Sequence, residues 1–99
     1  MTEILHVVLV DWDGEDGTAP ERASALVAEH LPTIDGVVSV ASGPSVSPEG
    51  LEGGFDWALV VRFRDAAARD AYLPHPAHQP VADHIGARSA RVVVFDVTG

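Results

Sequence analysis

The sequence of 99 residues lacks cysteine, lysine and asparagine altogether, and each absence excludes a class of chemistry. Without cysteine there is no disulfide, no thiolate nucleophile and no cysteine-ligated metal. Without lysine there is no Schiff-base chemistry and no phosphate-binding P-loop, and without asparagine there is no N-glycosylation site. Any catalysis must therefore use the side chains of His, Tyr, Ser, Thr, Asp or Glu.

Positive charge is also scarce, since six basic residues face fifteen acidic ones and the formal net charge is −9. Nucleic acids and anionic lipid surfaces both need a basic protein face, so we expect neither as a partner. The first residues carry no basic stretch, and the apolar run that ends at Val10 has only the length of a strand. No apolar run is long enough to span a bilayer. We therefore expect a cytoplasmic protein with one domain over residues 1–99.

Residues 11–17 form an acidic, glycine-containing stretch that invites comparison with a calcium-binding loop. The EF-hand loop requires glycine at its sixth position and glutamate at its twelfth. Counted from Asp11, these positions hold Asp16 and Arg22, so the pattern fails. The interpretation that remains is a solvated acidic loop.

Three histidines near the C-terminus, His75, His78 and His84, offer another route to a metal site. Pro76 and Pro80 disturb the helix that would have to align the three imidazoles, so we expect no metal there. The calcium pattern also fails and a P-loop is absent. We therefore expect neither a tightly bound metal nor an organic cofactor.

Hydrophobic patterning predicts four strands and three helical segments. The strands cover residues 4–10, 37–41, 55–63 and 91–97, and the helices cover residues 18–31, 66–72 and 81–86. This is the β-α-β-β-α-β order of a ferredoxin-like α+β protein, in which a four-stranded antiparallel sheet carries its helices on one face. Several strands are apolar on both faces, so we expect the uncovered sheet face to pack against a second copy of the chain.

The stretch from Tyr72 to Pro80 is the strongest candidate for chemistry, because it holds the only tyrosine, two of the five histidines and three of the seven prolines. Tyr and His are suited to moving protons near neutral pH, and the prolines stiffen the backbone that carries them. Two interpretations stay open. In one, His78 is a general base and the Tyr72 hydroxyl steadies an enolate. In the other, His78 caps a helix or bonds a backbone carbonyl, and Tyr72 packs against it.

Five features occur together along nearly the whole chain. They are His6 in the first strand, the Ile-Asp-Gly-Val segment at residues 34–37 after a leucine-rich helix, residues 53–59 at the start of the third strand, the Tyr-x-x-His-Pro-x-His segment at residues 72–78, and the closing residues 92–96. With these features the chain resembles the stress-responsive A/B barrel (Dabb) family of dimeric α/β barrels. The segment at residues 72–78 is the most specific of the five.

The resemblance implies two protomers that press their sheets together into a barrel, with a cavity in each protomer between sheet and helices. One plant branch of the family closes polyketide rings by an aldol condensation that needs no metal or organic cofactor. That branch uses a Tyr and a His, which match Tyr72 and His78 by motif. It also carries a further imidazole where this chain has Trp57, and aromatic cavity residues on the first helix, where this chain has mainly Ala, Ser and Leu.

Three hypotheses for function follow. The first is a homodimer that binds a small apolar molecule, with cofactor-free proton transfer or aldol-type catalysis by Tyr72 and His78. The second is a non-catalytic stress-response or interaction protein, and the third is a cofactor-free oxygenase, as in other dimeric ferredoxin-like barrels. For the first, we expect Tyr72 and His78 to project into the cavity. We expect ligand contacts from His6, Val8, Trp57, Leu59, His84, Val92 and Val94.

Overall fold

The computed structural model of the chain describes residues 2–15 and 17–99. Over these residues the elements are β1 Ile4–Trp12, α1 Ala19–His30, a 3₁₀ turn Leu31–Thr33, β2 Val37–Pro44, β3 Trp57–Phe63, α2 Ala66–Tyr72, a second 3₁₀ turn Pro76–His78, α3 Gln79–Arg88 and β4 Ser89–Thr98. Asp16, which the calcium comparison placed at the sixth position, lies outside the described residues.

The four strands form one antiparallel sheet in the order β2-β3-β1-β4. In the middle of this sheet, β1 pairs with β3, where His6 lies opposite Val61, and with β4, where His6 lies opposite Asp96. Opposed residues of paired strands share a sheet face, so Asp96 and Val94 lie on the same side of the sheet as His6 and Val8. This register brings a carboxylate from the last strand beside the imidazole of the first.

The helices cover the side of the sheet to which His6 points. Helix α2 begins after Asp65, whose carboxylate accepts the N–H of Ala68 at 2.8 Å in an N-cap. Helix α3 buries Val81 and Ile85, which lie one helical turn apart. Helix α1 buries an apolar stripe with the same periodicity, formed by Ala19, Ala23, Leu26 and Val27. Within the described residues no helix combines the length and the apolar character that a membrane span requires.

The predicted ferredoxin-like plan is confirmed, and the differences concern the ends of elements. Cross-strand pairing carries β1 on to Trp12 and β2 on to Pro44. The third strand starts at Trp57 because the N–H of Phe55 bonds back to the Glu52 carbonyl in a turn. The predicted helix stop at Gly86 is wrong, since α3 continues to Arg88.

The sheet face away from the helices is apolar and partly open. Alternation along β1, together with its pairing to β3 and β4, assigns eight apolar side chains to this face: Leu5, Val7, Leu9, Ala58, Val60, Val93, Phe95 and Val97. Phe95 is 64% exposed, and Val97 is 42% exposed. A contiguous apolar patch of this kind is typical of an interaction surface.

Candidate functional site

A cavity of ≈ 290 Å³ lies between the sheet and the helices, on the side of the sheet where β1 and β4 pair. Its floor consists of the buried residues His6, Val8, Leu59, Tyr72, Val81 and Ile85. Its wall includes the half-buried His78 and Ala82, and its rim carries the exposed Leu73, Gly86, Val92 and Val94. The lining is therefore apolar apart from two imidazoles and one phenol.

Tyr72 ends α2 and has no solvent exposure. Its ring packs edge-on against Phe63 and His6, with centroid distances of 4.8 Å and 5.7 Å. Its hydroxyl finds no hydrogen-bond partner among the described residues, although a buried phenol usually has one. Burial raises the pKa of the Tyr72 hydroxyl well above its ordinary value, so the group remains an O–H donor at neutral pH. The oxygen of a bound ligand would satisfy this donor.

His78 lies directly beside Tyr72. The centroids of the two rings are 4.3 Å apart, and the ring planes are inclined by 36°. The Nδ1 atom of His78 is 3.0 Å from the Leu73 carbonyl oxygen. Because a carbonyl oxygen only accepts, Nδ1 donates the proton, and the neutral ring keeps its lone pair on Nε2. The structure therefore has features of both interpretations of the sequence. His78 bonds a backbone carbonyl and packs on Tyr72, and the two side chains also line the cavity.

His6 reaches the cavity floor from β1 and belongs to a charged network that crosses to β4. Its Nδ1 lies 2.7 Å from Oδ1 of Asp96, and Oδ2 of Asp96 accepts from Nη1 of Arg69 at 2.8 Å. Burial alone would raise the pKa of the Asp96 carboxyl, but the hydrogen bonds from Arg69 and His6 outweigh it and hold the pKa below its ordinary value. The ionised carboxylate therefore keeps the proton of a neutral His6 on Nδ1.

Two residues expected to contact the ligand, Trp57 and His84, lie outside the cavity lining. Trp57 is buried beneath α1, where its Nε1 donates to Oγ of Ser24 at 3.1 Å and its ring packs against Trp12. His84 points to the α1 side of α3, since its Nε2 donates to the Ala19 carbonyl at 2.8 Å. The structure therefore does not bring these two side chains into the cavity that Tyr72 and His78 line. Trp57 belongs to the hydrophobic core under α1, and the half-buried His84 is bonded to the first residue of that helix.

The other predicted ligand contacts, His6, Val8, Leu59, Val92 and Val94, do line the cavity. Sequence reasoning missed the contribution of α3 to the cavity lining, which comprises Val81, Ala82, Ile85 and Gly86. Their spacing of three to five residues was the available signal, because such residues share one side of a helix. It also missed Arg69 and Asp96 as a pair, since their contact depends on the register between β1 and β4.

The three histidines considered for a metal site are held apart by different hydrogen bonds. The imidazole of His75 accepts the N–H of Ala77 at 3.0 Å and so opens the turn that leads to His78. His84 is bonded to the Ala19 carbonyl, as described above. No cluster of three or more metal-ligating side chains occurs within residues 2–15 and 17–99.

The arrangement therefore combines an acceptor nitrogen and a donor hydroxyl in one small apolar space. Such a pair is suited to remove a proton next to a carbonyl group while the hydroxyl stabilises the developing oxyanion. The apolar surroundings strengthen both interactions, because little water competes for the polar atoms. The same arrangement is equally suited to binding a neutral carbonyl compound without further reaction.

Comparison with known proteins gives a family match over almost the whole chain. The family model described as Stress Responsive A/B Barrel Domain matches residues 4–98. Among curated proteins none matches. A dimeric ferredoxin-like protein of unknown function from Jannaschia sp. CCS1 is 26% identical, with a TM-score of 0.83 over 96% of this chain and 97% of that chain.

Two plant structures have the same fold. A protein from Arabidopsis thaliana is 26% identical, with a TM-score of 0.83 over 97% of this chain and 94% of that chain. The hydroxynitrile lyase from Passiflora edulis is 15% identical, with a TM-score of 0.85 over 98% of this chain and 93% of that chain. At that identity the likeness to the lyase concerns the fold alone.

Asp96→Asn should lower the free energy of unfolding near neutral pH by about 1 kcal/mol. This is a low value for hydrogen bonds between charged groups, and we expect it because the Asp96 carboxylate is partly exposed. Since the pKa of Asp96 is lower in the folded chain than in the unfolded chain, its contribution is complete above about pH 3.8, the ordinary aspartate value. The contribution is lost as the pH falls through the folded-state pKa. Denaturant unfolding from pH 7 to pH 2 measures the difference between wild type and variant.

The matched control for this experiment is Asp83→Asn, which alters an exposed carboxylate on α3. It should change the free energy of unfolding little at any pH. A gap between wild type and Asp96→Asn that stays constant down to pH 2 would contradict the assigned ion network.

Proposed function

The chain belongs to the stress responsive A/B barrel domain family, and on that premise we propose that it binds a small, uncharged carbonyl compound in its cavity. We further propose that Tyr72 and His78 catalyse proton transfer next to that carbonyl without a cofactor. Aldol-type condensation, as in a polyketide cyclase, is the reaction class that such proton transfer serves.

The observation that carries this proposal is the buried Tyr72 hydroxyl, which has no acceptor among the described residues and lies beside His78 in an apolar cavity. Leaving such a group unsatisfied costs about 1–3 kcal/mol. An aliphatic ligand would leave that cost in place. A ligand oxygen placed at the hydroxyl would remove it, which favours a carbonyl compound over a hydrocarbon.

In the proposed reaction, Nε2 of His78 takes the proton from the carbon next to the carbonyl, and the carbonyl oxygen becomes an enolate. The Tyr72 hydroxyl donates a hydrogen bond to that oxygen. The enolate carbon then forms a bond to a second carbonyl carbon, whose oxygen becomes an alkoxide. The proton held by His78 returns to this alkoxide, so the imidazole ends neutral and no other reagent is consumed.

The alternative function is a non-catalytic stress-response or interaction protein. In that case the cavity either binds a ligand without reaction or is closed by small movements of the side chains around it. The contacts of His78 with Leu73 and Tyr72 then serve packing only. Binding and proton transfer are separable measurements, so one experiment distinguishes the two functions.

We also propose that the chain forms a homodimer through the open sheet face defined above, in which Phe95 is the most exposed large apolar side chain. The support is the apolar character of that face, together with the dimeric state of the Jannaschia protein. The proposed unit is one domain over residues 1–99, located in the cytoplasm. We propose no nucleic-acid or membrane partner, because the net charge of −9 would repel both polyanionic surfaces.

Proton exchange at the methyl group of acetophenone in deuterated buffer tests the proposed chemistry. Acetophenone combines an apolar ring with one carbonyl oxygen, and its methyl protons are next to that carbonyl. The wild-type protein should accelerate their exchange for deuterium, which proton NMR follows directly. His78→Ala should slow this exchange about a hundredfold or more because the base is removed. Tyr72→Phe should also slow it, because the enolate loses its hydrogen bond.

His30→Ala is the matched control, since His30 is half-buried at the end of α1 and does not line the cavity. It should exchange acetophenone at the wild-type rate. Calorimetry detects whether acetophenone binds. If it binds, but neither the wild-type protein nor any variant exchanges its methyl protons faster than buffer alone does, the catalytic proposal fails and the binding function stands.

The dimer is tested by light scattering at micromolar concentration. The wild-type protein should show twice the mass of one chain, and Phe95→Asp should shift it towards a folded monomer, because a charge would be buried in an apolar interface. Ala28→Asp is the control, since Ala28 is exposed on α1, on the opposite side of the sheet. A wild-type protein that stays monomeric and folded would contradict the proposed assembly.

A further inference from the structure

Gly86 occupies a position in α3 where neither the backbone nor the packing requires glycine. It lies inside the helix Gln79–Arg88, and its φ lies outside the left-handed region that favours glycine. A Cβ atom added there would meet no described atom within 4 Å beyond its chain neighbours and its own helix backbone. Glycine in a helix interior is less favourable than alanine, because it loses more backbone freedom on folding. The local structure therefore gives no reason for this residue.

Gly86 does have a place in the cavity, because it forms part of the rim. Val81 and Ile85 of the same helix point to the core, while Ala82 and Gly86 lie one position further round the helix and one turn apart from each other. Val92 and Val94 of β4 line the same cavity and are nevertheless 40% and 57% exposed. This part of the cavity lining thus consists of Ala82 and Gly86, two of the three smallest residues of α3, and of two valines of β4.

A second, independent observation points to a ligand in the cavity behind this rim. Tyr72 is completely buried, lines the same cavity, and has an unpartnered hydroxyl among the described residues. Tyr72 belongs to the floor and Gly86 to the rim. A ligand bound with its oxygen at Tyr72 would therefore extend its apolar part towards Gly86.

We propose that Gly86 determines the ligand size that the cavity accepts, by keeping the mouth wide enough for an apolar group larger than a single ring. This inference rests on the proposed binding function and adds a specificity-determining residue to it. The absence of a side chain at position 86 lowers the stability of the helix, but it leaves free space at the rim of the cavity. Each carbon added at position 86 should narrow that space.

Two aryl ketones and three variants test the inference by calorimetry. Acetophenone has one ring, and acetylnaphthalene has two fused rings with the same carbonyl group. Wild-type protein should bind both. Gly86→Leu should weaken the binding of acetylnaphthalene by about tenfold or more, and that of acetophenone by less than about threefold. The affinity of Gly86→Ala for acetylnaphthalene should lie between those of the wild type and Gly86→Leu. This variant should also raise Tm by about 4–8 °C, because alanine has a higher helix propensity than glycine.

Ala87→Leu is the matched control, because Ala87 is exposed on the same helix and does not line the cavity. It should bind both ketones as the wild type does. If Gly86→Leu binds both ketones like the wild type, or loses both to the same extent, the assignment of Gly86 is wrong while the binding function stands. Wild-type protein that binds neither ketone would overturn the binding function and this assignment together.

Discussion

The burial of the Tyr72 hydroxyl, which has no acceptor among residues 2–15 and 17–99, is the constraint on which the site depends. The ring is held by Phe63, His6 and His78, so the side chain cannot turn away from the cavity without breaking three aromatic contacts. A phenylalanine would keep the packing and avoid the cost of the unsatisfied group. Under the proposed binding function, a ligand oxygen accepts the hydrogen bond of this hydroxyl, which would account for tyrosine rather than phenylalanine at this position.

The helices cover the sheet unevenly. This explains both the mouth of the cavity and the open apolar face of the sheet. The helices bury the inner residues of β1 and β3, but they leave Val92 and Val94 of β4 half open. This gap is the mouth of the cavity. On the other side of the same strand, Phe95 and Val97 extend the apolar face of the sheet. One strand therefore serves both the proposed ligand site and the proposed dimer.

Much of the fold could be predicted from sequence because its signals are local. Alternation in residues 57–63 and the start of a helix after Asp65 each depend on neighbouring residues only. The site could be predicted in part, since the proline-rich turn that returns His78 to Tyr72 spans few residues. The positions of Trp57 and His84 could not be predicted, because the choice between the α1 side and the cavity depends on how α1 and α3 pack. The network of Arg69, Asp96 and His6 depends on strand register over ninety positions, which no local pattern encodes.

The chain has one tyrosine, so selective isotope labelling of tyrosine at Cζ gives one NMR resonance that reports on Tyr72 alone. Addition of acetophenone should move this resonance in proportion to the ketone bound, because the hydroxyl gains an acceptor. Toluene, which lacks an oxygen, should fill the same cavity and leave the resonance nearly unchanged. The account would be contradicted if calorimetry detects acetophenone binding while the resonance of Tyr72 stays where it is in the free protein.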